Sequence, residues 1–480
     1  MTFFNKQRVF VLFTLTVVLA LLLPALLQHG MFMDGVQYAI VAKNLALNKA
    51  TFWMPYLSSS WSKMYSNYFL EHPPLVYYLQ SKFFIVFGVG VFTEKIYCFF
   101  SFAICAFLIY KIWDLIFKEN QILKPYWWLA VLLWFITPSV FWSFGNNMLE
   151  NTVTITVLSA SYFALKSIYS NRFNLFYIFI AGGFVFLGSL SKGLPGFFPI
   201  TIIICSYFLL GKPNLKRTIV YTFVLIIIPT IIYFLLFTFN SEAKESLTFY
   251  FKNRLLNRLS EAHTVENRFS ILFWLFTDQL VNIALCVLLF LVFKAKLFVN
   301  ELSKSENRLI LFFLLYGLCG VIPLCFTHVQ RAVYFVPALP FFGIGLAVFL
   351  VKGLNILITK IKDDHFKIIR SGVIVLFCIT LLYSVSLIGK TGRDEKVLDE
   401  INKIGSVIGK DKVIGTTNDI YEKWDYQFYL LRYYNITLEP YPNKQQDYKL
   451  FERENVKDLE VNYEKIDLGL ENYILLKKQN

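Results

Sequence analysis

Charge is what this sequence has least of. Only 16% of its 480 residues are Asp, Glu, Lys or Arg, against roughly 25% in an ordinary soluble domain. Histidine is scarce too: the five present show no spacing that would hold zinc. The seven cysteines, Cys98, Cys105, Cys205, Cys286, Cys319, Cys325 and Cys378, all lie in apolar blocks and none in a predicted loop. That argues against a disulfide framework or a cysteine metal site and for packing. No internal repeat is visible, so the paired inverted repeats common in secondary transporters have no counterpart here. What fills the chain instead is apolar: 56% hydrophobic residues, with Phe alone at 51. They come in blocks of about twenty, long enough to cross a ~30 Å hydrocarbon layer.

Eleven such blocks are predicted, at 9–29, 93–117, 126–143, 148–168, 175–190, 195–210, 218–239, 271–293, 307–326, 332–351 and 368–388. The first follows Lys6 and Arg8 as a signal peptide would. Its length and the lack of a small-residue cleavage site before His29 instead predict a retained span. With the N-terminus cytoplasmic, the inner loops hold nineteen basic residues against six acidic ones, and the short outer loops only Lys192 and Arg331. This is the positive-inside pattern. It accounts for nearly all of the formal charge of +14, so no nucleic-acid partner is needed to explain the basic balance.

Three long segments are then left outside: 30–92, 240–270 and the tail 389–480. Pro73–Gly88 is apolar but short and contains Lys82; counting it as a span would invert every later loop, so an interfacial helix is predicted. A second interfacial helix is predicted after Asp34, through Tyr38, Ile40, Val41 and Leu45. The tail shifts abruptly to seventeen acids and fifteen bases. "KVIGTT" and "NYILLKK" read as strands and "DIYEKWDYQFYLLRYY" as a helix, predicting a small periplasmic α/β domain at 389–480 behind a transmembrane domain at 1–388.

The acids of the outer segments are the chemical candidates. Asp34 closes the first span, where a carboxylate beside a bilayer is costly without a partner or a task. Glu71 precedes Pro73-Pro74, which forces an extended turn. Glu150 opens the fourth span. On the same side lie His72, Lys192, Arg254, Arg258, His263, Arg331, Tyr38 and Tyr334, and all can converge on one cavity at the outer face. Each has a plainer reading: Asp34 as a helix N-cap, Glu150 as a charge favoured by a helix dipole, Lys192 and Arg331 as interfacial anchors, the tyrosines as aromatic-belt residues. Asp278, inside a span, is either functional or a partner of a nearby polar group. The carboxylates leave room for a divalent cation without requiring one.

The order of these residues carries a resemblance. Asp34 after the first span, His72-Pro73-Pro74-Leu75, Glu150 at the fourth span, Ser191-Lys192-Gly193, and the box Arg331, Tyr334, Pro337, Pro340 occur in sequence on one membrane side. Over about residues 1–350 the chain resembles the GT-C-fold glycosyltransferases, in the bacterial branch related to protein O-mannosyltransferases and the lipid A aminoarabinose transferase. The resemblance implies a polytopic helical enzyme of the bacterial inner membrane. Its substrates would be a polyprenyl-phosphate-linked sugar and an acceptor hydroxyl on a protein, lipid A or another envelope glycan. Asp34 is implied as the catalytic carboxylate, and Glu150 as a second residue of the catalytic site. Tyr38, Glu71, His72, Lys192, Arg258, His263, Arg331 and Tyr334 are implied to bind substrate. Departures from the pattern are Asp34-Gly35 where Asp-Glu is usual, Gln37 in place of arginine before Tyr38, His72 in place of lysine, and Glu150 in place of aspartate. A transporter or lipid flippase is the main alternative, a scaffold presenting the tail another, and an oligosaccharide polymerase or ligase a third.

Overall fold

The structure, a computed structural model, describes residues 3–60, 67–257, 263–292, 303–440, 446–454 and 462–479. The chain divides into two compact units: Met1–Leu26, Glu71–Val76 and Cys98–Ile388 form the first, and Leu27–Leu70, Tyr77–Tyr97 and Gly389–Asn480 the second. The unit that holds the tail is therefore larger than residues 389–480, because it takes in two early segments as well.

The first unit is a helical bundle. Its helices are α1 (Phe3–Leu27), α4 (Thr93–Phe117), α5 (Trp127–Phe135), α6 (Pro138–Gly145), α7 (Leu149–Ile168), α8 (Leu175–Lys192), α9 (Thr201–Leu210), α10 (Leu215–Phe239), α11 (Ser241–Phe249), and the later helices Ser270–Asp278, Leu280–Val292, Lys304–Val321, Leu339–Lys360 and Asp363–Ser386. Among the described residues seven helices are long and apolar enough to cross a membrane, and nine if each of two bent pairs makes one span. The other two predicted blocks do not qualify by those measures. α7 is rich in buried Asn, Thr and Ser, and Leu194–Leu210 is shorter, opening as a 3₁₀ turn with Pro195 and Pro199. Hydroxyls inside the spans bond back to their own helix, as Thr16 does to Leu12 O at 2.8 Å and Thr230 to Ile226 O at 2.8 Å. In hydrocarbon this satisfies polar groups that water cannot reach.

The two bends explain Asp278. α5 and α6 meet at 78°, and Ser270–Asp278 meets Leu280–Leu291 at 51°. Pro138 pushes Thr137 into an extended conformation and so breaks the first pair. Asp278 Oδ1 accepts from the Ser139 amide at 3.1 Å, and Asn282 Nδ2 donates to Leu133 O at 3.1 Å. The polar side chains at one break thus satisfy backbone groups freed at the other. Asp278 is the partner of a polar group, one of the two roles open to it.

The second unit carries α2 (Met33–Ala46) and most of α3 (Leu75–Phe87), which cover the two helices predicted as interfacial. Its tail forms a five-stranded sheet of β1 (Val413–Thr416), β2 (Thr437–Pro440), β3 (Tyr448–Glu452), β4 (Tyr463–Ile466) and β5 (Tyr473–Lys478) in the order β2-β1-β3-β5-β4. β1 runs parallel to β2 and β3, while β5 runs antiparallel to β3 and β4. Helix Glu395–Ile408 buries Leu398, Ile401, Ile404 and Ile408, one stripe at helical spacing. The single helix predicted around "DIYEKWDYQFYLLRYY" is broken into Asn418–Tyr421, Trp424–Tyr429 and the π-turn Leu430–Tyr434.

Candidate functional site

In the first unit six of the candidate residues, Glu71, His72, Glu150, Lys192, Arg254 and Tyr334, belong to one connected cluster. Glu150 lies in the first turn of α7, where the exposed amides of a helix N-terminus favour a negative charge. It is only 1% exposed. Its Oε1 accepts from the Lys192 ammonium, and its Oε2 makes no hydrogen bond among the described residues. Lys192 ends α8 and is 8% exposed. Its Nζ stands 4.5 Å from the centre of the Tyr334 ring, within cation–π range.

Gly193 lets the chain turn away at this point. Its φ of +81° is a region side chains avoid, and a Cβ there would collide with the Tyr250 hydroxyl. The same hydroxyl donates to the Lys192 carbonyl at 3.2 Å. Tyr250 opens the π-turn Tyr250–Leu256, one turn before Arg254, which forms an ion pair with Glu71. Buried His72, set by the Pro73-Pro74 turn, places its ring 6.5 Å from that of Tyr250. Glu71, His72, Glu150, Lys192 and Tyr334 are thus joined through Tyr250 and Arg254.

The remaining candidates of this unit lie elsewhere or outside the description. Exposed His263 stacks on His328 with ring centres 4.3 Å apart. That contact belongs to a staple in which Thr264 donates to His328 O at 3.0 Å and buried Gln330 donates to Arg268 O at 2.6 Å and accepts from the Ile271 amide at 2.9 Å. Arg331 is exposed at the start of the 3₁₀ turn Ala332–Ala338 that carries Tyr334. Arg258 lies outside the described residues. Among the described residues no three His, Cys, Asp or Glu side chains group to hold a metal ion.

Tyr250 and Gln330 escape a reading by motif. Tyr250 is one of three successive aromatics in a segment predicted as a loop, and Gln330 is an uncharged residue whose role depends on loop closure. Arg254 is one of several equivalent basic residues until its pairing with Glu71 is seen.

In the second unit Asp34 is half-buried in the first turn of α2, and Tyr38 is buried one turn on. The Tyr38 ring lies 5.9 Å from Tyr77 and 6.4 Å from Phe69. Before Asp34 the chain is tied down at nearly every residue. Gly389 N donates to Leu27 O at 3.3 Å, His29 N to Lys390 O at 2.7 Å, Gly392 N to His29 O at 3.0 Å, and Met31 N to the Tyr429 hydroxyl at 3.0 Å. The Lys95 ammonium also donates to Gln28 O and Gly30 O.

Residues 71–237 match the family Dolichyl-phosphate-mannose-protein mannosyltransferase. The fold is similar to that of ArnT from Cupriavidus metallidurans bound to undecaprenyl phosphate, with a TM-score of 0.65 at 13% identity over 96% of this chain and 97% of that one. The apo form of the same protein matches at 0.63, with 13% identity and 97% coverage of both chains. The Archaeoglobus fulgidus oligosaccharyltransferase in its apo form matches at 0.52, with 15% identity over 92% of this chain and 65% of that one. No curated protein matches by sequence.

Proposed function

We propose that this chain, a multi-span membrane glycosyltransferase with the GT-C fold, moves a sugar from a polyprenyl-phosphate carrier to an acceptor hydroxyl at the periplasmic face of a bacterial inner membrane. The observation that carries the proposal is the buried ammonium of Lys192, held between the Glu150 carboxylate and the Tyr334 ring. An ammonium has three donors and Glu150 uses one, so Lys192 retains capacity for a phosphate oxygen. The leaving group of the transfer is such a phosphate, and a fixed cation stabilises the charge it gains. That one structural relative holds undecaprenyl phosphate supports the same class of carrier here.

The acceptor hydroxyl must lose its proton as its oxygen attacks the anomeric carbon. Asp34 is assigned as the base that takes it, a role that typically contributes 10²–10⁴-fold. The phosphate leaves without protonation, so one displacement with inversion suffices and a second catalytic carboxylate of the glycosidase kind is not needed. Glu150 holds Lys192 through one oxygen and offers the other to a sugar or acceptor hydroxyl. Glu71, His72, Arg254 and Tyr250 frame the same cluster. Arg331, Arg258 and His263 are assigned outer contacts to substrate.

The test is mass spectrometry of polyprenyl-phosphate lipids from a strain lacking the gene, with and without the wild-type chain restored. A polyprenyl-phosphate sugar should accumulate in its absence and clear on restoration, and the lipid's mass would name the sugar. An unchanged carrier pool would count against the transferase and for a transporter.

A further inference from the structure

We infer that the C-terminal chain from Gly389 to Tyr434 is a positioning part of the transfer machinery, with Tyr429 and Lys43 as the two pins that hold Asp34 in place. The inference rests on Asp34 acting in transfer, as proposed above. All the residues involved lie in the second unit.

The first pin is three residues before Asp34. The Tyr429 hydroxyl accepts from the Met31 amide at 3.0 Å and lies 2.9 Å from Met31 O and 2.8 Å from Asp394 Oδ2. With one proton to give, the hydroxyl favours the carboxylate, the stronger acceptor. Burial and the neighbouring Asp394 push the phenol's pKa up, so the proton stays in place. Asp394 is itself aligned by Arg393, whose Nε donates to Asp394 Oδ2 at 3.2 Å and whose guanidinium lies 5.4 Å from the Phe32 ring. Gly30 is needed where Arg393 comes closest: its φ is +88°, and a Cβ would collide with the Arg393 carbonyl.

The second pin is nine residues after Asp34. Lys43 is buried on α2 and donates to Leu431 O at 2.8 Å and Arg432 O at 3.4 Å, carbonyls of the π-turn Leu430–Tyr434. A π-turn leaves its carbonyls out of α-helical register, which frees them for a side-chain donor. Arg432 is then fixed by a buried ion pair with Glu94 and by bonds to Val89 O at 3.1 Å and Gly90 O at 2.7 Å. A tail that only presented a binding surface would need none of these buried polar contacts to the segment around Asp34. Together they hold α2, whose first turn carries Asp34, from both ends. A misplacement of about 1 Å at a reacting group can lower turnover about a hundredfold.

The test uses the full chain in the deletion strain and as purified protein in detergent. Tyr429→Phe and Lys43→Met are compared with Asp34→Asn and with Glu471→Gln, which removes an exposed ion pair of the tail from its partner outside residues 389–434. Three quantities are read: clearance of the accumulated polyprenyl-phosphate sugar, affinity for undecaprenyl phosphate, and amide hydrogen exchange in peptides covering residues 28–38. Tyr429→Phe should lower clearance about 10- to 100-fold and speed exchange at 28–38. It should leave the affinity for undecaprenyl phosphate and the exchange of β1 unchanged. Lys43→Met should do the same more weakly, and Glu471→Gln should match wild type.

If Asp34→Asn is inactive while Tyr429→Phe clears the lipid at the wild-type rate, the positioning role is overturned and the Asp34 assignment stands. If Asp34→Asn clears the lipid normally, the assignment beneath it fails. If Tyr429→Phe speeds exchange throughout the sheet as well, the tyrosine is a folding residue and the positioning role is again overturned.

Discussion

The two units hold their candidate groups in opposite ways. In the first, the candidate side chains hold one another. Glu150 pairs with Lys192, Lys192 packs on Tyr334, and Glu71 pairs with Arg254. In the second, Asp34 sits on a short helix whose approach is fixed by backbone bonds and by Tyr429 and Lys43. The first arrangement ties function to stability, since a buried charge stripped of its partner is destabilising whatever its chemistry. In the second, the bonds that fix the approach to the helix are made by residues other than Asp34, so replacing its carboxylate is expected to leave that scaffold in place. Losses of activity in the two units should therefore differ in what accompanies them.

The sharpest way to break the comparison is Lys192→Met. It leaves the Glu150 carboxylate buried without its cation and should cost about 3–5 kcal/mol of stability as well as transfer. Thermal unfolding in a mild detergent, beside carrier-lipid clearance, reads both. Adding Glu150→Leu should return much of the stability and none of the activity. If Lys192→Met unfolds like wild type, the pair is not the structural element described here.

Gly193→Ala should cost about 1–3 kcal/mol or more, from a backbone region (φ +81°, ψ −129°) that side chains avoid and from the clash with Tyr250. Some of the loss should be relieved by Tyr250→Phe, which removes the hydroxyl a new methyl would meet. Equal stability of Gly193→Ala with and without the tyrosine change would mean the close approach does not matter.

Lys43 gives the second unit a pH dependence of definite sign. Burial first, then the Arg432 and Lys49 charges, lower its pKa from the ordinary 10.5 to about 7. Between those values the unfolded chain binds the proton that the folded chain has released, so stability rises with pH across that window. The slope is at most about 1.4 kcal/mol per pH unit. Unfolding temperatures measured from pH 7 to 10 should climb in wild type relative to Lys43→Met, and a parallel pair of curves would contradict the assignment. Smallest of all, Glu71→Gln loosens a half-buried pair and should cost about 1 kcal/mol or less. Its effect should be on carrier affinity more than on unfolding.

The sequence makes the two arrangements unequally legible. Glu150, Lys192 and Tyr334 are readable in advance because each opens or closes an apolar block, and block ends on one membrane side fall at one level. Their partners are not: Tyr250 and Arg254 lie in a polar segment whose path no hydrophobic period records. Nine of the eleven apolar blocks are readable as spans because bilayer thickness imposes a length. The bends at Thr137 and Gln279 depend on Pro138 and on long-range caps from Asp278 and Asn282, which composition does not show. In the tail, β1 and β5 follow from their β-branched and aliphatic runs, whereas the break at Glu422 and the π-turn at Leu430–Tyr434 do not. The Lys43 bond to that turn joins residues 388 positions apart, a separation over which sequence pattern carries no signal.

Asp34 is proposed to carry out transfer on a scaffold that survives the loss of its charge. The most direct test is to restore Asp34→Asn to the deletion strain at the wild-type membrane level and weigh the polyprenyl-phosphate sugars. A normally inserted, normally stable protein is expected, with a carrier-lipid pool as high as with no protein at all. A pool cleared as fully as by wild type would contradict it.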